Sequence, residues 1–302
     1  MGHVSDAVPT VPAGTDADPL LGWPWSLTGL DRLMALGSGD RWIAIAVLDG
    51  PVATGHPGLA ASVVQIRPGA CRVAHSAACR HGTAVAGILG AARGTVVSGL
   101  CPGSPLLVRP VFGEDAGAFQ PEELAAGIVD AVATGARVVN VSAAFTGTVP
   151  VGNRGLTQAL DHAAGHGVLV VAAAGNESRI GGSPLLTHPW VVPVASCDAS
   201  GALLAGSNIG ASIARRGLRA PGVNVPTLDP DGGFTYLSGT SAAAPQVTGA
   251  IALAWSAFPG APAAAVRAAV TGDARRTGPV PPLLDAPALY RHLAATFQRG
   301  QR

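Results

Sequence analysis

The sequence predicts an α/β domain with a three-layer, doubly wound, mostly parallel sheet. Nearly half of the 302 residues are apolar (48%) and only 12% are charged, so the chain can bury a large core. Apolar runs without polar alternation indicate a sheet whose two faces are both buried. Helical patterns separate these runs, and repeated strand–helix–strand units are typical of parallel sheets with right-handed crossovers.

The predicted elements alternate along one domain. A lead-in rich in Pro, Gly and Asp occupies residues 1–27, and the domain occupies residues 28–298. The domain opens with a short helix from Thr28 to about Gly37. The predicted strands cover residues 43–49, 106–112, 137–143, 168–174 and 191–196. The predicted later helices cover residues 81–92, 121–135, 154–167, 241–258 and 284–297.

Charge and hydropathy exclude several classes of protein. The net charge is +1 and the basic residues are scattered, so we expect neither a nucleic-acid partner nor a membrane partner. The first residues lack the pattern of a signal peptide, and no apolar run reaches transmembrane length. These observations predict a soluble, cytoplasmic protein.

Three polar residues in order suggest an activated hydroxyl. Asp49 in VLDGP ends an apolar strand, His81 in RHGTAVAG is predicted to open a helix, and Ser241 in LSGTSAAAP opens another. In open α/β sheets, functional sites form at strand carboxyl ends and helix starts. Ser241 would attack a carbonyl, His81 would carry the proton, and Asp49 would orient the imidazole. Each residue alone has a simpler interpretation as a turn, surface or N-cap residue. The presence of all three together favours a catalytic role over three separate structural roles.

A fourth segment supplies a candidate oxyanion donor. AAAGN (172–176) ends a buried strand and places Asn176 where its side-chain amide can donate to an oxyanion. The backbone N–H of Ser241, at a helix N-terminus, would be the second donor. An asparagine in a left-handed turn is the structural alternative for Asn176 taken alone.

These motifs resemble the subtilisin family of serine proteases, the subtilases (peptidase S8), over residues 28–272. The order Asp, His, Ser is the subtilisin order, and GSNIG (206–210) and RAPGVNV (219–225) resemble the segments that precede the nucleophile. The resemblance implies a subtilisin-like peptidase domain in which Asn176 serves the oxyanion. It also implies a peptide substrate paired with residues 139–144, beside the S1 pocket. The residues assigned to substrate binding are Ser142, Ala143, Ala144, Ala173 and Gly175.

The segment GLDRLMALGSGDRWIAIAVLDGPVATGHP (29–57) is similar to the start of proteases that mature cyanobactins and related ribosomal peptides. In that group one type of enzyme cleaves the precursor N-terminal to the core peptide. A second type cuts at the C-terminal end and macrocyclises, with an insertion that covers the active site. Only 31 residues separate Asp49 from His81, so no such insertion fits there and we expect hydrolysis.

The predicted function is therefore serine endopeptidase cleavage of a precursor (leader) peptide. One alternative is a general intracellular subtilisin-like protease that degrades proteins. The other is a catalytically weak, peptide-binding scaffold. The family phrase H-G-T-H ends here in Ala84, and the family phrase Ser-x-Gly ends here in Ala144. We expect altered packing at the first position and a narrower S1 entrance at the second. With Asp49 so near the start, we expect no folding propeptide.

The four cysteines are too few for a disulfide-built scaffold. Cys71, His75 and Cys79 are spaced four residues apart and would present three metal ligands on one face of a helix. A Pro-Gly pair precedes them, and using His81 as the fourth ligand would disable proton transfer. Free cysteines are favoured, and a Cys71–Cys79 disulfide stays open as the alternative. Without a dense acidic cluster for calcium, no metal and no cofactor are predicted.

Overall fold

A computed structural model of the chain describes residues 24–59, 63–65, 71–94, 97–114, 120–142, 153–181, 183–272 and 278–297. The helices are α1 (Trp25–Thr28), α2 (Leu30–Leu36), α3 (Ala77–Gly90), α4 (Pro121–Ala133), α5 (Arg154–Gly165), α6 (Pro184–Thr187), α7 (Ala211–Arg216), α8 (Thr240–Ala257), α9 (Ala263–Thr271) and α10 (Ala286–Thr296). The strands are β1 (Ile45–Asp49), β2 (Val63–Gln65), β3 (Leu106–Pro110), β4 (Val138–Val141), β5 (Leu169–Ala173), β6 (Val191–Cys197), β7 (Leu218–Pro221), β8 (Val225–Leu228) and β9 (Phe234–Leu237).

Within the described ranges, seven strands form one sheet in the order β2-β3-β1-β4-β5-β6-β7, and every neighbouring pair is parallel. From β1 the chain passes to the edge strand β2, returns through β3, and then crosses to β4, from which it runs outward to β7. The doubly wound parallel sheet is therefore confirmed. Its strand order reverses beside β1, and ligands of such sheets bind in the crevice at the carboxyl ends of strands near that point.

Helices cover both faces of the sheet and produce three layers. On β1, Ile45 and Val47 pack into the core formed with α2, α3, α8, α9 and α10. The alternate residues Ala46 and Leu48 pack into the core formed with α4, α5 and α7. Side chains of a strand point alternately to opposite faces, so a strand buried on both faces is apolar at most of its positions.

Helix α8 runs through the larger core. Apart from Ser241 and Ser256, every residue of this helix is buried, and seven of these sixteen buried residues are alanine. A helix that is apolar on all sides belongs in the interior of a domain. Near its C-terminal end Trp255 donates its indole N–H to the Ala261 carbonyl at 2.9 Å. The central helix predicted over 241–258 is confirmed.

An antiparallel hairpin, β8–β9, stands beside the sheet. The Asp231-Gly232-Gly233 sequence forms its turn, with Gly232 at φ +96°. None of the described helices combines the length and apolarity that a membrane crossing requires.

The favoured prediction of free cysteines at positions 71 and 79 is wrong. Cys71 and Cys79 form a disulfide, with 5.5 Å between their Cα atoms. The chain turns back just before α3, because the Glu114 carboxylate accepts the N–H groups of Arg72 and Val73, each at 2.8 Å. The same bond overturns the zinc alternative, since neither sulfur remains a thiolate. The cytoplasmic location stays a prediction, and a disulfide is more typical of oxidising compartments.

A count of reactive thiols is expected to distinguish the four cysteines. Cys101 and Cys197, both in the described part of the chain, are free and buried. Burial raises the pKa of their thiols to about 12 and about 11, so little thiolate is available to an alkylating reagent. We expect no labelling of the native protein, labelling of these two after unfolding, and labelling of all four only after reduction. Mass spectrometry of the labelled peptides makes the measurement, and labelling of Cys71 or Cys79 without a reductant would contradict the disulfide.

Candidate active site

Asp49 and His81 meet at the carboxyl end of β1. The Asp49 side chain is fully buried, and its Oδ1 accepts a hydrogen bond from Nδ1 of His81 at 2.7 Å. The backbone N–H of Gly50 donates to the same oxygen, also at 2.7 Å. The carboxylate is therefore held in place, and it directs Nε2 of the imidazole away from itself.

The close approach of α3 to the loop after β1 brings these two residues together. A Cβ atom at Gly82 would lie 2.4 Å from the carbonyl oxygen of Pro51, so this position requires glycine. The next residue, Thr83, accepts the N–H of Ala53 on its hydroxyl oxygen at 2.9 Å. The backbone of α3 therefore passes in close contact with the loop after β1 at Gly82.

His81 does not open a helix, and that part of the prediction is wrong. Helix α3 begins four residues earlier, at Ala77, and Ser76 caps it by accepting the N–H of Cys79 at 3.1 Å. Gly82 therefore lies inside α3. Its actual role is contact with the neighbouring loop from inside the helix.

The pKa of His81 is raised above its ordinary value of 6.5. Burial lowers the pKa, while the charge of Asp49 and its hydrogen bond raise it, and the raising effects win. The side chain of His81 is 27% exposed, so water reaches it while the carboxylate stays fully buried. The pair favours a protonated, oriented imidazole.

Ser241 is the second residue of α8, which begins beyond Gly239 at φ +92°. A Cβ atom at Gly239 would lie 2.9 Å from both polar atoms of the Asn176 side chain. The Ser241 hydroxyl donates to the Ser142 carbonyl at 2.6 Å. Among the hydrogen bonds of the described residues, none joins Ser241 to His81. The Ser241 hydroxyl is therefore hydrogen-bonded to the residue that directly follows β4, the strand assigned to substrate pairing.

Asn176 lies beside the start of α8. Its Oδ1 accepts the N–H of Thr240 at 2.9 Å, and the Thr240 hydroxyl accepts the N–H of Gly175 at 3.1 Å. These bonds fix which side-chain atom is oxygen, because a backbone N–H needs an acceptor. Nδ2 has no hydrogen-bond partner among the described residues, so it remains free to donate.

The other residues singled out in the sequence lie in different surroundings or outside the described ranges. Ala173 is half-buried at the end of β5, and Gly175 is buried in the turn that follows. Ala143 and Ala144 lie outside the described residues. Ala84 is buried in α3, and its carbonyl accepts the hydroxyl of Thr227 from β8.

Sequence reasoning missed a polar residue that ties the substrate strand to α8. Asn140 is fully buried in β4, donates to the Ser142 hydroxyl at 2.8 Å and accepts from the Thr248 hydroxyl at 2.9 Å. The signal was present, because Asn140 interrupts an otherwise apolar strand. Across the described ranges, no group of three or more His, Cys, Asp or Glu side chains comes close enough to hold a metal ion.

Comparison with known proteins gives consistent results. The profile of the subtilase family, peptidase S8, matches residues 40–286. Subtilisin DY of Bacillus licheniformis is 31% identical over 257 residues, which cover 82% of this chain and 89% of subtilisin DY. Prenylagaramide maturation protease PagA has a TM-score of 0.76 at 29% identity, covering 88% of this chain and 98% of PagA. Patellamide maturation protease PatA has a TM-score of 0.73 at 31% identity, covering 85% of this chain and 98% of PatA.

The family match spans most of the chain, and Asp49, His81, Asn176 and Ser241 all lie within the matched range. The mostly parallel sheet with flanking helices agrees with that match. The chain therefore belongs to the subtilase family and is a subtilisin-like serine protease.

Proposed function

We propose that this protease is an endopeptidase that cleaves a precursor peptide during the maturation of a ribosomally made peptide. The observation that carries the proposal is the grouping of Asp49, His81, Ser241 and Asn176 at one edge of the sheet. The likeness to the PagA and PatA maturation proteases supports the substrate class, because it extends over almost their whole length.

In the proposed mechanism the Ser241 hydroxyl leaves the Ser142 carbonyl and transfers its proton to Nε2 of His81. Its oxygen bonds to the scissile carbonyl carbon, while Asp49 stabilises the imidazolium. The oxyanion accepts hydrogen bonds from Nδ2 of Asn176 and from the backbone N–H of Ser241. His81 then protonates the leaving amine, and water hydrolyses the acyl-enzyme with His81 again as the base.

The structure supports hydrolysis over cyclisation in this proposal. Only 31 residues separate Asp49 from His81, and the described part of that segment contains β2 and the start of α3. The PatG macrocyclase in complex with peptide has a TM-score of 0.75, but at 21% identity that likeness extends to the fold alone. The PagA and PatA proteases are more similar in sequence.

Product analysis tests the proposal against general proteolysis. The purified protein is incubated with casein and with a peptide library prepared from a digested proteome, and new termini are identified by mass spectrometry. We expect a narrow cleavage motif, largely intact casein, and linear products that have gained one water. Broad digestion of casein would favour the general intracellular protease. Cyclic products would overturn hydrolysis. If no products form and Ser241 is chemically unreactive, the peptide-binding scaffold would be favoured.

The pH dependence of kcat/KM follows from the raised pKa of His81. The proton acceptor has to be neutral, so activity is expected to rise with pH, with a midpoint above 6.5. The free energy of unfolding is expected to fall as pH rises over the same range. The Asp49 interaction contributes fully below the unfolded-state pKa of about 6.5, and that contribution is lost as pH rises through the folded-state pKa. Kinetics and denaturant unfolding across this range measure both trends, and a kinetic midpoint below 6.5 would contradict the account.

Replacement of Asn176 by alanine is expected to lower kcat by about 10²–10³-fold with little change in KM. The amide would bond to the substrate oxygen mainly when that oxygen carries charge, so its loss affects the transition state. Steady-state kinetics on a peptide that the wild-type protein cleaves makes the measurement. A change in KM alone would count against the oxyanion role.

A further inference from the structure

The turn that carries Asn176 is held by a second asparagine, Asn208. Asn208 lies in the segment 206–210, which follows β6 and has no part in the mechanism above. Its side chain is 9% exposed, whereas Asn176 is on the surface. A buried amide has to satisfy its hydrogen bonds within the protein, and those of Asn208 all go to the neighbouring turn 174–179.

Each polar site of the Asn208 side chain is used. Its Oδ1 accepts the backbone N–H groups of Glu177 at 3.1 Å and Arg179 at 2.9 Å. Its Nδ2 donates to the carbonyl of Ala174 at 3.0 Å and to the Glu177 carboxylate at 2.5 Å. An amide offers two donors and two acceptor sites, and all four are occupied. An aspartate would lack both donors, and an alanine would lack every contact.

Backbone bonds extend this contact along the whole turn. The N–H of Asn208 donates to the Gly175 carbonyl at 2.9 Å, and the N–H of Ser178 donates to the Gly206 carbonyl at 2.9 Å. Ser178 adopts φ +54°, a left-handed conformation that a serine keeps only when its surroundings hold it. The turn therefore depends on the 206–210 segment for its shape.

We propose that Asn208 is a positioning residue that fixes the turn 174–179 and so aims the Asn176 amide at the oxyanion. Thr240 holds the Asn176 side chain, and Asn208 holds the backbone of the residues on either side of Asn176, Gly175 and Glu177. A displacement of about 1 Å at a reacting group can cost about 10²-fold in rate. The inference rests on the proposed function, since it requires Asn176 to stabilise the oxyanion.

A double-mutant cycle tests the inference. We expect Asn208→Ala to lower kcat by about 10²-fold with KM nearly unchanged, measured on a chromogenic peptide that the wild-type protein cleaves. In the Asn176→Ala background the same substitution is expected to cost less than about threefold, because the amide that it positions is already absent. Equal losses in the two backgrounds, or a loss only in KM, would overturn the inference. Full activity of Asn176→Ala alone would instead show that the oxyanion assignment has failed, and the positioning role would fail with it.

Two further variants separate positioning from loss of folding. Asp285→Ala removes the side chain that accepts the Ala288 N–H at the start of α10, far along the chain, and serves as a destabilised control with unchanged kcat.

Asn208→Asp keeps the size and both acceptors but places a carboxylate beside Glu177. Its kcat relative to wild type is expected to rise as pH falls, because a protonated carboxyl regains a donor. If the ratio of the variant kcat to the wild-type kcat does not change with pH, and the variant shows normal thermal unfolding, the positioning role would be overturned.

Discussion

Replacement of Ser241 by alanine is expected to lower kcat/KM for peptide cleavage by about 10⁶-fold. Ser241 is the residue whose hydroxyl lies beside the substrate strand at the start of α8, and its removal leaves only binding and oxyanion donors to assist water. Adding His81→Ala should cause little further loss, because residues that act as one unit are strongly non-additive. Cleavage assays on purified variants measure both effects.

The matched control for this substitution is Ser256→Ala in the same helix. The Ser256 hydroxyl donates to the carbonyl of Ala252 within α8 and lies near the other end of the helix from Ser241. We expect wild-type kinetics for that variant. Undiminished cleavage by Ser241→Ala would remove the nucleophile from the account, and a large loss in Ser256→Ala would show that small changes in α8 suffice to inactivate the protein.

Replacement of Asp49 by asparagine is expected to lower kcat by about 10⁴-fold while the fold is retained. The carboxylate accepts Nδ1–H of His81 and Gly50 N–H on one oxygen, and an amide of the same shape no longer supplies the charge that stabilises the imidazolium. The midpoint of the pH–rate profile should also fall, because Asp49 is the group that raises the pKa of His81.

Asp198→Asn is the matched control for the loss of a carboxylate. Asp198 organises an exposed turn by accepting N–H groups from Ser200 and Ala202, and the asparagine oxygen can still accept them. We expect neither kcat nor the pH midpoint to change. If Asp49→Asn left the pH midpoint where it was, the carboxylate would not be the group that controls His81.

The central strands were predictable because burial on both faces leaves runs that are apolar at nearly every position, with Asn140 in β4 as an exception. In β1, neighbouring residues such as Val47 and Leu48 enter different cores, so no polar position interrupts the pattern. The outer strands lack that signal. β7 (Leu218–Pro221) contains Arg219, whose guanidinium N–H bonds to the carbonyl of Gly201, and β2 has only three residues. Sequence periodicity cannot identify strands that are so short or mixed.

The residues proposed to carry the chemistry were found because each belongs to a compact motif. Asn208 was not, because its role depends on two segments that are about 30 residues apart and meet only in the folded chain. A polar residue in a loop has the same local signature whether it faces water or holds a neighbouring turn. The Cys71–Cys79 disulfide was only the second choice for a similar reason, since the turn that Glu114 contacts between the two residues is not visible in the local sequence.

The most direct test of the proposed triad is labelling of the purified protein with a fluorophosphonate probe, followed by intact-mass analysis and peptide mapping. The account predicts one adduct, located on Ser241, that disappears in the His81→Ala variant. This result would show that the hydroxyl resting on Ser142 in the structure becomes a nucleophile when His81 is present. A folded protein that forms no adduct, or an adduct that persists without His81, would contradict the proposed triad.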